Sequence, residues 1–434
     1  MKEGTVRRLG EVAEFTNGGA WNQTEYVESG VPVVRVSDIS NGAINLEGCK
    51  YLPAKSLERY KKHILKKDDL IIATVGSHPT QPASVVGRAA KVPASAHGAL
   101  LNQNAVVIRP SSDLLDKRYL YYLGCSSPFR EYMISHARGS ANQVRMSMGE
   151  LKKMEIYLPS LLVQRKIGAI LSAYDDLMES NLRRIKILEE MAQAIYNEWF
   201  VRFRFLGHEK VKTVDSPIGH IPEDWEVGTL SDALKVLESG SRPKGGVDLR
   251  GDVPSVGAEN ILGLGKYDFS KEKYVSRKFF ENMRHGHVKS GDVLLYKDGA
   301  QIGRKTHFRD GFPHDECCIN EHVFILRTNE RVSQTYLYFW LDKPDMTQSI
   351  RNLNANAAQP GINQSSVRSL PILIPSSEVV DAFDKTVDPM LALLFRLAKE
   401  NMVLHRTRDS LLPRLISGDV DVSKLDIDEG KEVA

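Results

Sequence analysis

The sequence predicts a mixed α/β (α+β) protein. Two tandem globular domains are separated by two long helices that pair as an antiparallel coiled coil, giving pseudo-two-fold symmetry. Three observations predict this. An apolar stripe at coiled-coil spacing runs through residues 161–206. A second stripe follows Pro389, and the remaining sequence is an imperfect tandem repeat. A 3.5-residue apolar period held over several heptads marks a coiled-coil helix and not a globular surface helix.

The chain divides in order into a first domain (1–160), a first long helix (161–206), a linker (207–220), a second domain (221–375), a second long helix (376–418) and an acidic tail (419–434). Six blocks of the first domain recur in the same order in the second. Residues 6–12 answer 226–233, 30–36 answer 251–256, and 66–71 answer 289–294. Residues 102–109 answer 320–327, 119–122 answer 336–339, and 154–159 answer 370–375. One matching block arises easily by chance; six in one order do not. Short β-branched runs at 31–36, 70–75 and 105–108, and at 253–256, 293–296 and 323–326, read as strands bounded by Gly, Asp and Pro. Residues 115–124 and 333–341 read as helices.

The first long helix has no Pro or Gly after Gly168. Its seam is Ile167, Leu171, Tyr174 and Met178, then Ile185, Leu188, Ala192, Ile195 and Trp199, with Asn181 as the one polar entry. Roughly 35–40 helical residues make a rod of about 50–60 Å. The second seam is Met390, Leu394, Leu397, Asn401, Leu404, Arg408 and Leu411. Pro413 is expected to stop that helix and Gly418 to close it. Each helix needs a partner for its seam. The second starts where the first has ended, so it must run back along it. The tail holds Asp419, Asp421, Asp426, Asp428, Glu429 and Glu432 and is expected to be disordered.

Composition narrows the function. Of the 434 residues, 42% are hydrophobic and 26% charged, as in an ordinary globular protein. No apolar run follows the N-terminus and none reaches membrane-span length, so a cytoplasmic protein is expected. Cys49, Cys125, Cys317 and Cys318 lack CxxC spacing, which argues against a zinc site or a disulfide framework. The net charge of +3 confines any nucleic-acid surface to a local patch. Gly299–Thr306 does not fit a phosphate loop, and the Glu150-Leu151-Lys152 triplet lacks the acidic partner a nuclease needs. His285 and His287 lack a third metal ligand with recognisable spacing. Asp175 and Asp176 are helix neighbours whose side chains diverge. No cofactor and no metal is expected.

The remaining signals are those of a binding protein. In the second domain Lys271, Lys273, Arg277, Lys278, Arg284, Lys289, Lys297, Arg304, Lys305 and Arg309 are interleaved with Tyr267, Phe269, Tyr274, Phe279, Phe280 and Tyr296. This pattern fits a phosphate-contacting surface, and equally a solvated face over core aromatics. Around Asp298, after a predicted strand, Lys297, Arg304 and Lys305 are the leading candidates for DNA contact. Ser77, His78 and Arg88 are candidates in the first domain. The loops GSANQVR (139–145) and NANAAQPGIN (354–363) occupy equivalent places in the repeat. With the adjoining Arg138, they add Ser140, Asn142, Gln143, Arg145, Asn354, Asn356 and Gln359. Such side chains hydrogen-bond base edges or phosphates, and they also serve as plain turn formers.

Three stretches then resemble a known family. They are LEEMAQAIY with WFV in the first helix (188–196, 199–201), IPEDWEV (221–227), and RDSLLPRLISG (408–418). With the duplicated architecture, they make nearly the whole chain similar to the specificity subunit of type I restriction-modification systems. The resemblance implies that each domain is a target recognition domain reading one half of a bipartite, asymmetric site in double-stranded DNA. It implies that the helices space the halves and dock two adenine-methyltransferase subunits, that a motor-nuclease subunit joins, and that the chain itself has no catalytic residues. Pro389 departs from the family pattern and is expected to kink or detach the first turns of the second helix. A rod of about 50 Å exceeds one DNA turn of about 34 Å, so the half-sites are expected about a turn apart. Two other classes stay open on the residues alone: a coiled-coil scaffold binding proteins or peptides, and a hydrolase with an unrecognised site.

Overall fold

The computed structural model describes residues 4–40, 42–76, 86–140, 143–246, 249–299, 301–354 and 361–427. The chain forms two compact units, Met1–Leu177 with Leu404–Ala434, and Met178–Val403. Each unit therefore includes part of both long helices, which the expected division had set apart from the domains.

In the first unit a four-stranded antiparallel sheet runs in the order Ala13–Asn17, Ala105–Pro110, Leu70–Ala73, Ala89–Lys91. Its central strands are mostly β-branched or small and are buried over 70–73 and 105–108, because both faces of the sheet are covered there. A smaller mixed sheet places Val31–Val34 parallel to Leu100–Leu101 and antiparallel to Lys50–Leu52. The helix Lys117–Cys125 packs Tyr119, Leu120 and Tyr122 into the core, with Asp116 capping the Tyr119 amide. The first and last strands, Gly4–Arg8 and Glu155–Pro159, pair and close the unit.

The second unit repeats this plan. Its main sheet has the order Leu234–Ser239, Val323–Thr328, Val293–Tyr296, Lys305–His307. Val253–Val256 lies parallel to Cys318–Ile319 and antiparallel to Lys273–Val275. Glu226–Thr229 and Pro371–Ile374 close the unit. The repeat is thus structural down to single bonds. Arg109 Nε donates to Asp69 Oδ1 at 2.9 Å, and Arg327 Nε to Asp292 Oδ1 at 2.6 Å. Each carboxylate also caps a tight turn, accepting from Lys66 N at 2.8 Å and from Lys289 N at 2.7 Å. Tyr119 and Tyr336 donate their hydroxyls to the carbonyls of Tyr157 and Leu373, in the equivalent closing strands.

The long helices are Leu161–Tyr196, continued by one π turn Asn197–Val201, and Ser377–Ile416. They pack on each other and on the core of each unit. In the first unit Ile167 and Leu171 are buried, and Leu411 packs against the same cluster. Arg408 Nη1 donates to Asp175 Oδ1 at 2.5 Å, so Asp175 is an interhelical partner. In the second unit Met178, Ile185, Leu394 and Leu397 are buried, and Leu188 and Ile195 pack partly buried on that core. Tyr174, Met390 and Leu404 are partly buried. Asn181 and Asn401 meet: Asn181 Nδ2 donates to Asn401 Oδ1 at 3.0 Å, and Asn401 Nδ2 to the Met178 carbonyl at 3.2 Å. As residue numbers rise on one helix they fall on the other, from Asn181 opposite Asn401 to Tyr196 against Phe383, which is antiparallel packing within the unit.

Four expectations need correction. The second helix runs unbroken through Pro389, whose side chain is exposed while Val387 and Leu391 on either side are buried. The backbone group that this proline leaves unpaired therefore falls on the solvent face, where water can satisfy it. Pro413 is likewise passed, and the helix ends at Ile416, three residues beyond, with Gly418 in a left-handed conformation. The tail is not disordered as far as it is described: Val422 is buried against the first unit, and Lys166 Nζ donates to the carbonyls of Ser423 and Leu425 at 2.8 and 2.7 Å. The linker is not a plain connector, since Thr213–Ser216 and Gly219–Pro222 form a hairpin. Among the described residues no helix is long and apolar enough to cross a membrane.

Candidate nucleic-acid interface

Each unit brings together the two loop regions singled out in its sequence. In the first unit the chain leaves Leu70–Ala73 as an extended strip, Thr74 then Val75–Gly76. A hairpin of Arg138–Ser140 and Gln143–Arg145 pairs with it, Arg145 opposite Val75 and Val144 opposite Gly76. Met146 N donates to the Thr74 carbonyl at 2.8 Å. Val144 and Met146 point inward and are buried, so Arg145 between them points out and is exposed, as strand alternation requires.

Arg138 is the register partner of Arg145 in this hairpin and is also exposed. Directly opposed residues share one face of a ribbon, and like charges there are destabilising. Among the described residues neither arginine has an ion-pair partner within 4.0 Å. Guanidinium groups are the side chains that bond phosphate oxygens and the acceptor edge of guanine bidentately. Arg88 is half-buried beside this strip, and its carbonyl accepts from Ala73 N at 2.9 Å. Ser77, His78 and Asn142 lie outside the described residues, and only the backbones of Ser140 and Gln143 are described, as part of the hairpin.

In the second unit the same strip is Lys297–Asp298, after Val293–Tyr296. Ile362 N donates to the Lys297 carbonyl at 2.9 Å, and Gly361 bridges to Asp298. Asn354 Oδ1 accepts from Gly361 N at 2.6 Å and so ties the two ends of the second loop together. Asn356 and Gln359, between those ends, lie outside the described residues. Lys297 Nζ sits 5.0 Å above the Phe324 ring, a cation–π contact that fixes its stem. Arg304 is half-buried, and its carbonyl accepts from Tyr296 N at 2.8 Å. The Tyr296 hydroxyl is held above its ordinary value by burial first, then by the charges of Glu259 and Asp298.

Lys305 does not belong to this surface. Its ammonium is buried, donating to the Leu341 carbonyl at 2.8 Å and Thr347 Oγ1 at 2.6 Å, with Asp342 at 3.2 Å. Burial pushes its pKa below the ordinary lysine value, against the pull of Asp342. Strand alternation turns this side chain under the helices that follow the sheet, so it braces the fold. Much of the wider basic cluster is also neutralised internally. Lys271 pairs with Asp268, Lys273 with Glu259, Arg277 with Glu316, and Arg309 with Asp388. Tyr267 packs edge-on to Phe269 at 4.8 Å, and Phe279 and Phe280 lie against a small core cluster.

Three residues of the strip were not among the sequence candidates. His322 Nδ1 lies 3.0 Å from Asp298 Oδ2, and its Nε2 lies 3.3 Å from Glu321 Oε1. Arg242 Nε lies 3.1 Å from the same Glu321 oxygen. Glu321 and His322 stand where Gln103 and Asn104 stand in the repeat, and that alignment was the available signal. Among the described residues no group of three or more His, Cys, Asp or Glu side chains could hold a metal ion.

Comparison with known proteins agrees with this geometry. A family model, the type I restriction modification DNA specificity domain, matches residues 1–190. The sequence is 24% identical over 432 residues to the specificity subunit of type I restriction enzyme MjaIX from Methanocaldococcus jannaschii, covering 98% of this chain and 95% of that protein. It is 22% identical over 424 residues to the specificity subunit of type I restriction enzyme HindI from Haemophilus influenzae, covering 86% of this chain and 91% of that protein. The fold is similar to the crystal structure of a type I restriction-modification S subunit from M. genitalium, with a TM-score of 0.56 and 16% identity, covering 95% of this chain and 96% of that one.

A duplicated α/β unit that presents polar and basic strips, with a DNA-specificity match over its first copy, defines the class: a DNA-recognition protein. More narrowly, residues 1–190 match the DNA specificity domain of type I restriction-modification systems, and nearly the whole chain is similar to specificity subunits of such systems. It supplies the DNA specificity of such a system as one part of the complex, and specificity subunits are non-catalytic.

Proposed function

We infer that each unit reads one half of a bipartite, asymmetric site in double-stranded DNA. The first reads through the strip of Thr74–Gly76 and the Arg138–Arg145 hairpin, the second through Lys297–Asp298 and its paired segment. The long helices set the distance between the half-sites and dock two adenine-methyltransferase subunits, and a motor-nuclease subunit completes the restriction complex. One observation carries this reading. Both units bring the same two loop segments into backbone pairing, yet equip them with different side chains. A shared frame with unlike side chains suits two similar poses on DNA that read unlike sequences.

Sequencing of methylated adenines in cells expressing this chain with its methyltransferase partner tests the proposal. The expected outcome is one recurrent motif with two unlike halves and a fixed unread gap. Methylation without a recurrent motif, or a motif confined to one contiguous half, would refute it. The isolated chain should also shift random duplex, and that binding should weaken steeply with salt. A salt-insensitive interaction would point to a protein scaffold.

A further inference from the structure

At one place of the strip the two units differ in kind: the second carries a carboxylate where the first carries an apolar side chain. Their backbones superpose by hydrogen bonding: Thr74 N donates to the Asn104 carbonyl at 2.9 Å, and Lys297 N to the His322 carbonyl at 3.1 Å. Val75 and Asp298 therefore hold the same place. Val75 is buried and apolar, and the neighbouring hairpin offers the donors Arg138 and Arg145. Asp298 is a partly exposed carboxylate at that place.

The local structure is shaped around this carboxylate. His322 holds its Oδ2, and Lys297 Nζ lies 3.9 Å from the same oxygen. Its Oδ1 takes no hydrogen bond from a described residue and lies against Gly361. A Cβ at position 361 would sit 2.5 Å from that oxygen, so a side chain there would displace the carboxylate from its present position. Behind it, Glu321 joins His322 to Arg242, and its second oxygen is buried with no hydrogen-bond partner among the described residues.

A carboxylate facing DNA repels phosphate, so it cannot serve the backbone contacts that position a protein. It only accepts hydrogen bonds, and a base edge offers it a partner in an exocyclic amino group. Cytosine N4 and adenine N6 present one in the major groove, the former being the usual partner of Asp and Glu. We propose that Asp298 is a base-reading residue of the second unit, accepting an N–H from the exocyclic amino group of a cytosine or an adenine, with His322 and Gly361 as its positioning residues. This rests on the half-site reading given above.

The test uses the complex of this chain with its methyltransferase partner and compares the methylated motif of the wild type with those of Asp298→Asn and Asp298→Ala. Discrimination at one position of one half-sequence is expected to fall about tenfold or more, and the base found there in the wild type distinguishes cytosine from adenine. The other half and the gap stay unchanged. Affinity for random duplex holds or rises, because a negative charge is removed. An unaltered motif with only a lower melting temperature overturns the proposal, as does a uniform loss of methylation across all sequences. The paired change Arg138→Ala and Arg145→Ala separates this from the broader reading. If those variants change the other half-sequence or weaken duplex binding while Asp298 variants change nothing, only the Asp298 assignment fails. If neither set changes motif or affinity, these strips are not the DNA face.

Discussion

At the scale of single residues, the second unit contains two titrating groups whose effects on stability oppose each other. His307 is buried, near the rings of Tyr338 and Phe395. Burial, with Arg309 adding to it, lowers its pKa from 6.5 to about 4. The fold thus favours the neutral ring. That stabilisation is complete above pH 6.5 and is lost as the unfolded chain takes up a proton between pH 6.5 and about 4. The loss is on the order of 3 kcal/mol. Asp384, whose carboxylate accepts from Ser333 Oγ at 2.8 Å, behaves in the opposite way. Burial raises its pKa from 3.8 to about 6, so the fold favours the protonated acid and gains stability as pH falls through that interval. Between pH 6 and 4 the two effects offset each other. Urea melts should show Asp384→Asn losing stability on acidification more steeply than the wild type, and His307→Gln losing less or gaining. Parallel pH profiles for the three proteins would contradict this assignment.

At the scale of elements, the helix seam is polar at two described levels, the Asp175–Arg408 ion pair and the neutral pair Asn181–Asn401. Asn181 is buried, and it pairs with Asn401 across the helices. A buried amide is costly unless matched, so this pair stabilises little on its own but penalises any other register. Asn401→Leu alone strands the Asn181 amide and should cost about 1–3 kcal/mol in a denaturant melt. Asn181→Leu together with Asn401→Leu should recover most of that loss, because both polar groups leave the seam together. Additive losses in the double variant would show that the two residues do not act as a pair.

At the scale of the whole molecule, both helices pass without a break from one compact unit into the other, near Leu177 and near Leu404. The Asn181–Asn401 contact puts the two helices in one register there, so lengthening only one of them would misalign the seam. A matched heptad inserted beside Ser180 and beside Met402 preserves the apolar period and adds about 10 Å. That is close to three base-pair steps of about 3.4 Å each. Methylated-site sequencing should then return the same two half-sequences with a gap about three base pairs longer. Altered half-sequences with an unchanged gap would mean that the helices read bases and do not measure distance.

The sequence alone determined the features that depend on local period and on repetition. The seam at Ile185 and Leu394, the strands at 70–73 and 293–296, and the correspondence of residues 66–71 with 289–294 and of 102–109 with 320–327 are all written as spacing or as aligned blocks. A strand or helix needs only its own residues to show its period. The two loop segments of each unit were also legible as polar stretches. That they lie side by side was not, since Asp298 and Gly361 are far apart in the chain and only the folded sheet joins them. Tertiary structure likewise decided the fate of individual charges. Lys297 and Lys305 look alike in sequence, yet one leans over Phe324 at the strip while the other is sealed under the helix ending at Asp342. The two prolines were misread for the same reason. A proline breaks a helix where its unpaired carbonyl is buried, and which face is buried is set by what packs against it. The acidic tail looked unable to fold because its few apolar residues are too sparse to form a core, but Val422 needs no core of its own when the first unit provides one. Period and composition belong to a segment; burial belongs to the contacts that segment makes, and those exist only once the chain has folded.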